Sequence, residues 1–140
     1  MTAIAPDLIA AYRATDYVAA LPGGATTLRV DVPCPALAAY LAQSGADSAG
    51  VITAYNPYSE TREPEENRAA HAALKDALKA MGLNALACDG TDPGGDWPTE
   101  HGLLVPGIGK TALRGLATVF GQNAVLWIDA DGVPRLELLR

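Results

Sequence analysis

Apolar and polar positions fall into short periodic blocks punctuated by Gly, Pro and Asn. From residue 7 to residue 14 the period is helical, with Leu8, Ile9 and Tyr12 on one stripe and Asp7 in the first turn. Thr15 to Leu21 alternates as a strand does, Pro22-Gly23-Gly24 is a turn signal, and Thr27 to Val32 returns with Leu28 and Val30 on one face. Those three pieces predict an antiparallel hairpin. Pro35 then suits the first turn of a helix carrying Leu37, Tyr40 and Leu41 at helical spacing, which Gln43-Ser44-Gly45 ends.

The middle of the chain is the most informative. Ala46 to Gly50 reads as a loop into the strand Val51-Ile52-Thr53-Ala54-Tyr55, which Asn56-Pro57 stops. Val51, Thr53 and Tyr55 share one face and Ile52 and Ala54 the other, so both faces are mainly apolar and the strand is predicted to be central and covered on both sides. After a polar turn, Pro64 opens the longest helix, about 64–81. Its inward stripe is Asn67, Ala70, His71, Leu74, Leu78 and Met81, and Lys75, Asp76 and Lys79 face outward. Two polar residues therefore begin a stripe that becomes apolar one turn later.

Strands are predicted over 83–88 and 101–105, and a last helix to about Phe120 turns Leu113, Leu116, Ala117 and Phe120 inward. Ala124 to Asp129 and Val133 to Leu139 pair across Asp131-Gly132, read as a primed hairpin turn, and Pro134 puts the final strand at an edge. The fold class expected is α+β. One domain, 1–140, holds a mixed β-sheet of six or seven strands around the central buried strand (51–56), with hairpins at both chain ends and three to four helices.

Composition changes this picture little. With 140 residues, 49% hydrophobic and 19% charged, the chain has room for a core of Leu, Val, Ile and Ala. A net charge of −6 repels phosphate backbones, so nucleic acid is disfavoured as a partner. Cys34 and Cys88 have no metal-ligand spacing. The N-terminus lacks a basic segment and meets Asp7 and Arg13 too early for a signal peptide, and no apolar run approaches the roughly 18 residues of a membrane span. A cytoplasmic protein with free thiols, no membrane contact, no metal and no cofactor is expected.

Three familiar patterns are incomplete. Gly107-Ile108-Gly109-Lys110-Thr111 resembles the end of a phosphate-binding loop, but Leu104 stands where its first glycine belongs. Asp89 to Glu100 has the length of a calcium loop, yet Pro93 replaces an oxygen ligand and Asp96 occupies the apolar slot. Glu63, Glu65 and Glu66 sit at the start of the long helix, where acids are ordinary and would repel an anion. A triad of Ser59, His71 and an acid lacks a nucleophile-elbow sequence, and His71 alone suits a hydrogen-bonded core position. Gly121-Gln122-Asn123 can be read as a helix cap alone.

Together, Thr15 and Tyr17, Thr53-Ala54-Tyr55-Asn56-Pro57 with Ser59, Glu66-Asn67, Trp97 with Glu100, and Phe120-Gly121-Gln122-Asn123-Ala124 resemble the bacterial domain-of-unknown-function family numbered 3293. The family pattern has a small hydroxyl residue after Glu100, where this chain has His101-Gly102. The resemblance implies a compact bacterial domain and supplies no activity.

The polar residues near element ends point to one pocket. Asn56, Ser59, Asn67, His71, Gln122 and Asn123 are expected to bind a small polar or cationic ligand, a nucleoside-like one among the options, with Tyr55 and Trp97 as walls. Glu66 and Glu100 are the candidate catalytic residues, either one a general base for carboxylate-assisted hydrolysis or transfer. The rival expectation is a protein-interaction module, an adaptor or inhibitor with an acidic surface, partnered by a second copy or another protein.

Overall fold

The computed structural model of the protein describes residues 4–139; residues 1–3, part of the segment read above as no signal peptide, and Arg140 lie outside the described residues. Four α-helices, α1 (Pro6–Ala14), α2 (Pro35–Ser44), α3 (Pro64–Ala80) and α4 (Lys110–Val119), accompany seven strands. The strands are β1 (Asp16–Leu21), β2 (Gly24–Leu28), β3 (Ser48–Thr53), β4 (Leu86–Thr91), β5 (Gly102–Pro106), β6 (Ala124–Asp129) and β7 (Pro134–Leu138). They form one sheet in the order β2-β1-β4-β5-β3-β6-β7, with the expected hairpins at both chain ends and β7 at an edge.

The α+β class holds, but every pairing in the sheet is antiparallel rather than mixed. A strand–helix–strand crossover from β3 through α3 would normally lay β4 parallel beside β3. Here β5 turns back and enters between them, antiparallel to both. The interior strand β3 also starts earlier than its sequence suggests, at Ser48, because Ala49 is fully buried and pairs on both sides. It ends at Thr53. The Thr53 hydroxyl donates to the His101 carbonyl at 2.7 Å and accepts the Tyr55 N–H at 3.1 Å, which draws the backbone out of the ladder.

Both faces of β3 are buried, and the two faces have different cover. Ala49 and Val51 join Leu104, Leu126 and Ile128 under Leu37 and Leu41 of α2. Ile52 and Ala54 join Leu103, Val105 and Val125 under Leu74 and Leu78 of α3 and Leu113 and Ala117 of α4. Register enforces this division: Val51 faces Leu104 and Leu126 across the strands, while Ile52 faces Leu103. Each fully buried helix leucine contributes about 1.5–3 kcal/mol over an exposed one.

Helix ends follow local chemistry. Pro35 and Pro64 sit in first turns, and α2, α3 and α4 each close on a left-handed glycine, Gly45, Gly82 and Gly121. After α3 the Leu83 N–H reaches the Leu78 carbonyl (3.0 Å) and the Gly82 N–H the Lys79 carbonyl (3.0 Å), the paired bonds of a Schellman turn. That turn carries Met81 off the inward stripe, so it is 45% exposed and Leu83 packs on the core instead. The β6–β7 connection is likewise not of the primed type. Asp131 keeps negative φ, Gly132 alone takes φ +74°, and the Gly132 N–H bonds the Asp129 carbonyl at 3.1 Å.

Gly102 marks a close approach of three strands. A Cβ there would lie 2.8 Å from the Cys88 carbonyl oxygen and 3.0 Å from that of Ile52, both backbone atoms of flanking strands. Gly102→Ala is expected to destabilise the protein by about 1–3 kcal/mol, the usual range for overpacking. Denaturant unfolding checks this; an unchanged midpoint would contradict the close approach.

Candidate functional site

Where β3 ends, the backbone makes a turn that only close support can hold. Asn56 (φ 46°, ψ 64°), Tyr58 (φ 57°, ψ 24°) and Ser59 (φ 60°) are all left-handed, and none is glycine. Such a conformation costs of order 1–2 kcal/mol for a residue with a Cβ, less for Asn. Within it the Ser59 and Glu60 N–H groups reach the Asn56 and Pro57 carbonyls at 2.9 and 3.1 Å, two overlapping turn bonds.

The support comes from two helices. From α3, the Asn67 side chain takes the Asn56 N–H on Oδ1 (2.9 Å) and returns Nδ2 to Asn56 Oδ1 (2.9 Å). Asn56 Oδ1 also accepts the Arg62 N–H at 3.0 Å, closing the turn from its far end. From the end of α4, the Gly121 carbonyl accepts the Tyr58 N–H at 2.7 Å, Gln122 Nε2 donates to the Tyr55 carbonyl at 3.1 Å, and Asn123 Nδ2 donates to Ser59 Oγ at 3.0 Å. Gly121-Gln122-Asn123 thus caps α4 and also grips the turn. A Cβ on Gly121 would come within 2.9 Å of Pro57 Cβ.

Glu100 meets this assembly from the loop before β5. Its Oε2 lies 3.4 Å from Asn56 Nδ2, and its backbone bridges Gly90. Burial pushes the Glu100 carboxyl above its ordinary 4.5, with the Asn56 hydrogen bond opposing. Tyr12 of α1 completes the group: its hydroxyl is 3.3 Å from Ser59 Oγ, and burial raises its pKa while the hydrogen bonds to Ser59 and Asn123 lower it. The Tyr17 hydroxyl donates to the Tyr12 carbonyl at 3.5 Å, and desolvation raises that phenol strongly as well.

On the other side of Tyr55 lie two imidazoles. The Tyr55 ring meets His71 edge-on at 6.0 Å and His101 at 5.6 Å between centroids, and the two imidazoles are 6.3 Å apart. His101 Nδ1 pairs with Asp89 at 3.1 Å. His71 Nδ1 is buried and has no hydrogen-bond partner among the described residues. Burial lowers the His71 pKa below 6.5, with the Lys75 and His101 charges adding to the effect and Asp89 opposing it.

The structure thus brings Asn56, Ser59, Asn67, Glu100, Gln122 and Asn123 into one linked set, with Tyr55 and His71 alongside. Glu66 stands apart. Its side chain is 57% exposed and pairs with Arg62 at 3.6 Å. Trp97 is 48% exposed in the loop between β4 and β5. That acidic loop is tied by its own Asp92, whose carboxylate accepts the Gly94 and Asp96 N–H groups (3.0 and 2.7 Å). Tyr12 was not legible as a site residue; its one signal was a phenol on an apolar stripe, since a buried hydroxyl needs a partner. Among the described residues no group of three His, Cys, Asp or Glu side chains is arranged to hold a metal ion. No described helix is long and apolar enough to cross a membrane.

Three consequences are measurable. Asn67→Ala strands the polar groups of Asn56 and is expected to cost about 1–3 kcal/mol, whereas exposed Glu66→Ala should stay within about 0.5 kcal/mol; equal losses in urea unfolding would contradict this geometry. For Glu100, the folded state holds its proton more tightly than the unfolded state does. Its contribution therefore falls as pH rises from about 4.5 through the raised folded value, the reverse of a salt-bridged acid. Stability–pH curves of wild type and Glu100→Gln should diverge across that window, with the variant gaining relative to wild type as pH rises. His71 has the opposite sign, losing stability as pH falls below 6.5.

No curated protein and no solved structure matches this chain. Residues 52–125, from within β3 to the start of β6, match the family described as "Protein of unknown function (DUF3293)". That span covers more than half of the chain and contains the Asn56–Ser59 turn, Asn67, Glu100 and the Gly121-Gln122-Asn123 clamp, so the protein belongs to the DUF3293 family.

Proposed function

We propose that the protein binds a small polar ligand beside Glu100, at the exit of β3, with Asn56, Ser59, Asn123 and Tyr12 supplying hydrogen bonds. One observation carries the reading. A half-buried carboxyl is met by a single long amide contact, next to a turn whose unfavourable backbone is fixed from two helices. Strain of that kind concentrates at sites that must be pre-organised. Asn67 and Gln122 support the turn, and Tyr55 and His71 form the adjoining wall. Burial also makes the Glu100 carboxylate a stronger base than an ordinary one, so Glu100 is the general base of choice for carboxylate-assisted hydrolysis or transfer. Glu66, turned to solvent, is assigned no role.

A ligand-observed NMR screen with small alcohols, amides, amines, sugars and nucleosides tests the proposal. Binders should weaken about tenfold or more in Glu100→Gln and Ser59→Ala, as expected for losing one hydrogen bond to a charged group. A screen without binders, or binders indifferent to both substitutions, would sink it.

A protein-interaction module is favoured by a different feature. Tyr58 (50% exposed) and Val119 (80% exposed) line an open groove of about 250 Å³ with Ala54, Pro57, Ala70, Phe120 and Gly121. Under that reading Val119→Asp abolishes a protein contact and leaves small-molecule binding intact.

A further inference from the structure

Among the described residues, every half-buried acid but Glu100 has a cationic or imidazole partner or a pair of backbone N–H groups. Asp16 meets Arg29 at 2.7 Å, Glu137 meets Arg114 at 2.6 Å and Lys110 at 4.0 Å, and Asp89 meets His101 at 3.1 Å. Asp92 has no cation but accepts two backbone N–H groups, at 3.0 and 2.7 Å. Glu100 has only the Asn56 amide at 3.4 Å, and among the described residues no Lys, Arg or His pairs with it. Acids are rarely removed from water without a partner, because the charged form loses hydration that nothing repays.

The neighbours of Glu100 would serve a positive group. Asn56 donates to it, while Ser59 Oγ on the same turn and the Tyr12 hydroxyl of α1, 3.3 Å apart, are oxygen acceptors of the same linked group. The Glu100 charge is felt at the Tyr12 phenol. Oxygen acceptors beside an uncompensated carboxylate suit an ammonium or guanidinium group. A bare metal ion would need more ligands than one carboxylate. The net charge of −6 favours the approach of a cation.

We propose that the ligand of the Glu100 site is a small organic cation, a primary ammonium or a guanidinium, held by Glu100 as a direct ion pair. This rests on the reading of the site as a small-ligand site and adds the charge of the ligand to it.

The test is a titration of the full-length protein, followed by carbon-13 NMR of the Glu side-chain carboxyls and by backbone amide spectra. The probes are methylammonium chloride and methylguanidinium chloride; N-methylurea is the neutral match for the latter, and sodium chloride controls ionic strength. The cations should move the Glu100 carboxyl signal saturably, lower its titration midpoint and shift the Asn56 and Ser59 amides. N-methylurea and sodium chloride should not. Glu100→Gln should abolish the saturable response, and Glu100→Asp, which keeps the charge at shorter reach, should retain a weaker one. Equal responses to N-methylurea and methylguanidinium would overturn the cation while leaving a polar-ligand site standing. No saturable response at Glu100 to either cation would overturn the cation, and a neutral panel that is also silent would remove the site. A response that persists in Glu100→Gln would place cation binding elsewhere and overturn the ion pair.

Discussion

The reciprocal bonds between the Asn56 and Asn67 carboxamides set the geometry of the turn on which the candidate site depends. Asn56 leaves the sheet in a left-handed conformation, and its backbone N–H points at α3 rather than at a neighbouring strand. Asn67 satisfies that N–H and fixes the Asn56 side chain in the same stroke, which leaves Asn56 Nδ2 directed at Glu100. Two residues eleven positions apart thereby tie the end of an interior strand, the first turn of the longest helix and the approach to β5. A buried amide network of this kind is favourable only when every member is satisfied, so its parts stand or fall together.

The end of α4 provides the second anchor, through backbone and side chains at once. Gly121 takes the left-handed position that closes the helix and brings its carbonyl to Tyr58, so the residue needed for the cap is also the one that permits close approach. Gln122 and Asn123 then reach the turn on either side of that contact. Each such bond is worth roughly 0.5–1.5 kcal/mol net, enough in sum to offset the left-handed backbone of Tyr58 and Ser59.

Much of the fold was legible because local signals set helix ends. Pro35, Pro64, Gly45 and Gly82 fixed the bounds of α2 and α3 to within a residue or so, and the two-sided apolar pattern of 51–54 identified an interior strand. Strand order was not legible, since the entry of β5 between β3 and β4 depends on contacts far apart in the chain. Part of the site was readable in the same way. Asn67 showed itself as a polar residue on an apolar stripe. Glu66 is its immediate neighbour, but one helical step rotates a side chain by about 100° and turns Glu66 to water. Tyr12 meets Ser59 across 47 positions, and no local pattern announces such a pair.

Three constraints on the backbone, at Asn56, Tyr58 and Ser59, have a dynamic corollary. Residues in this region of conformational space cannot drift gradually toward the extended basin, because a steric barrier separates the two. With each of them pinned by a different partner, the turn has no soft intermediate shapes. To leave this shape the turn must cross that barrier and give up the bonds from Asn67, Gly121 and Asn123 that pin it.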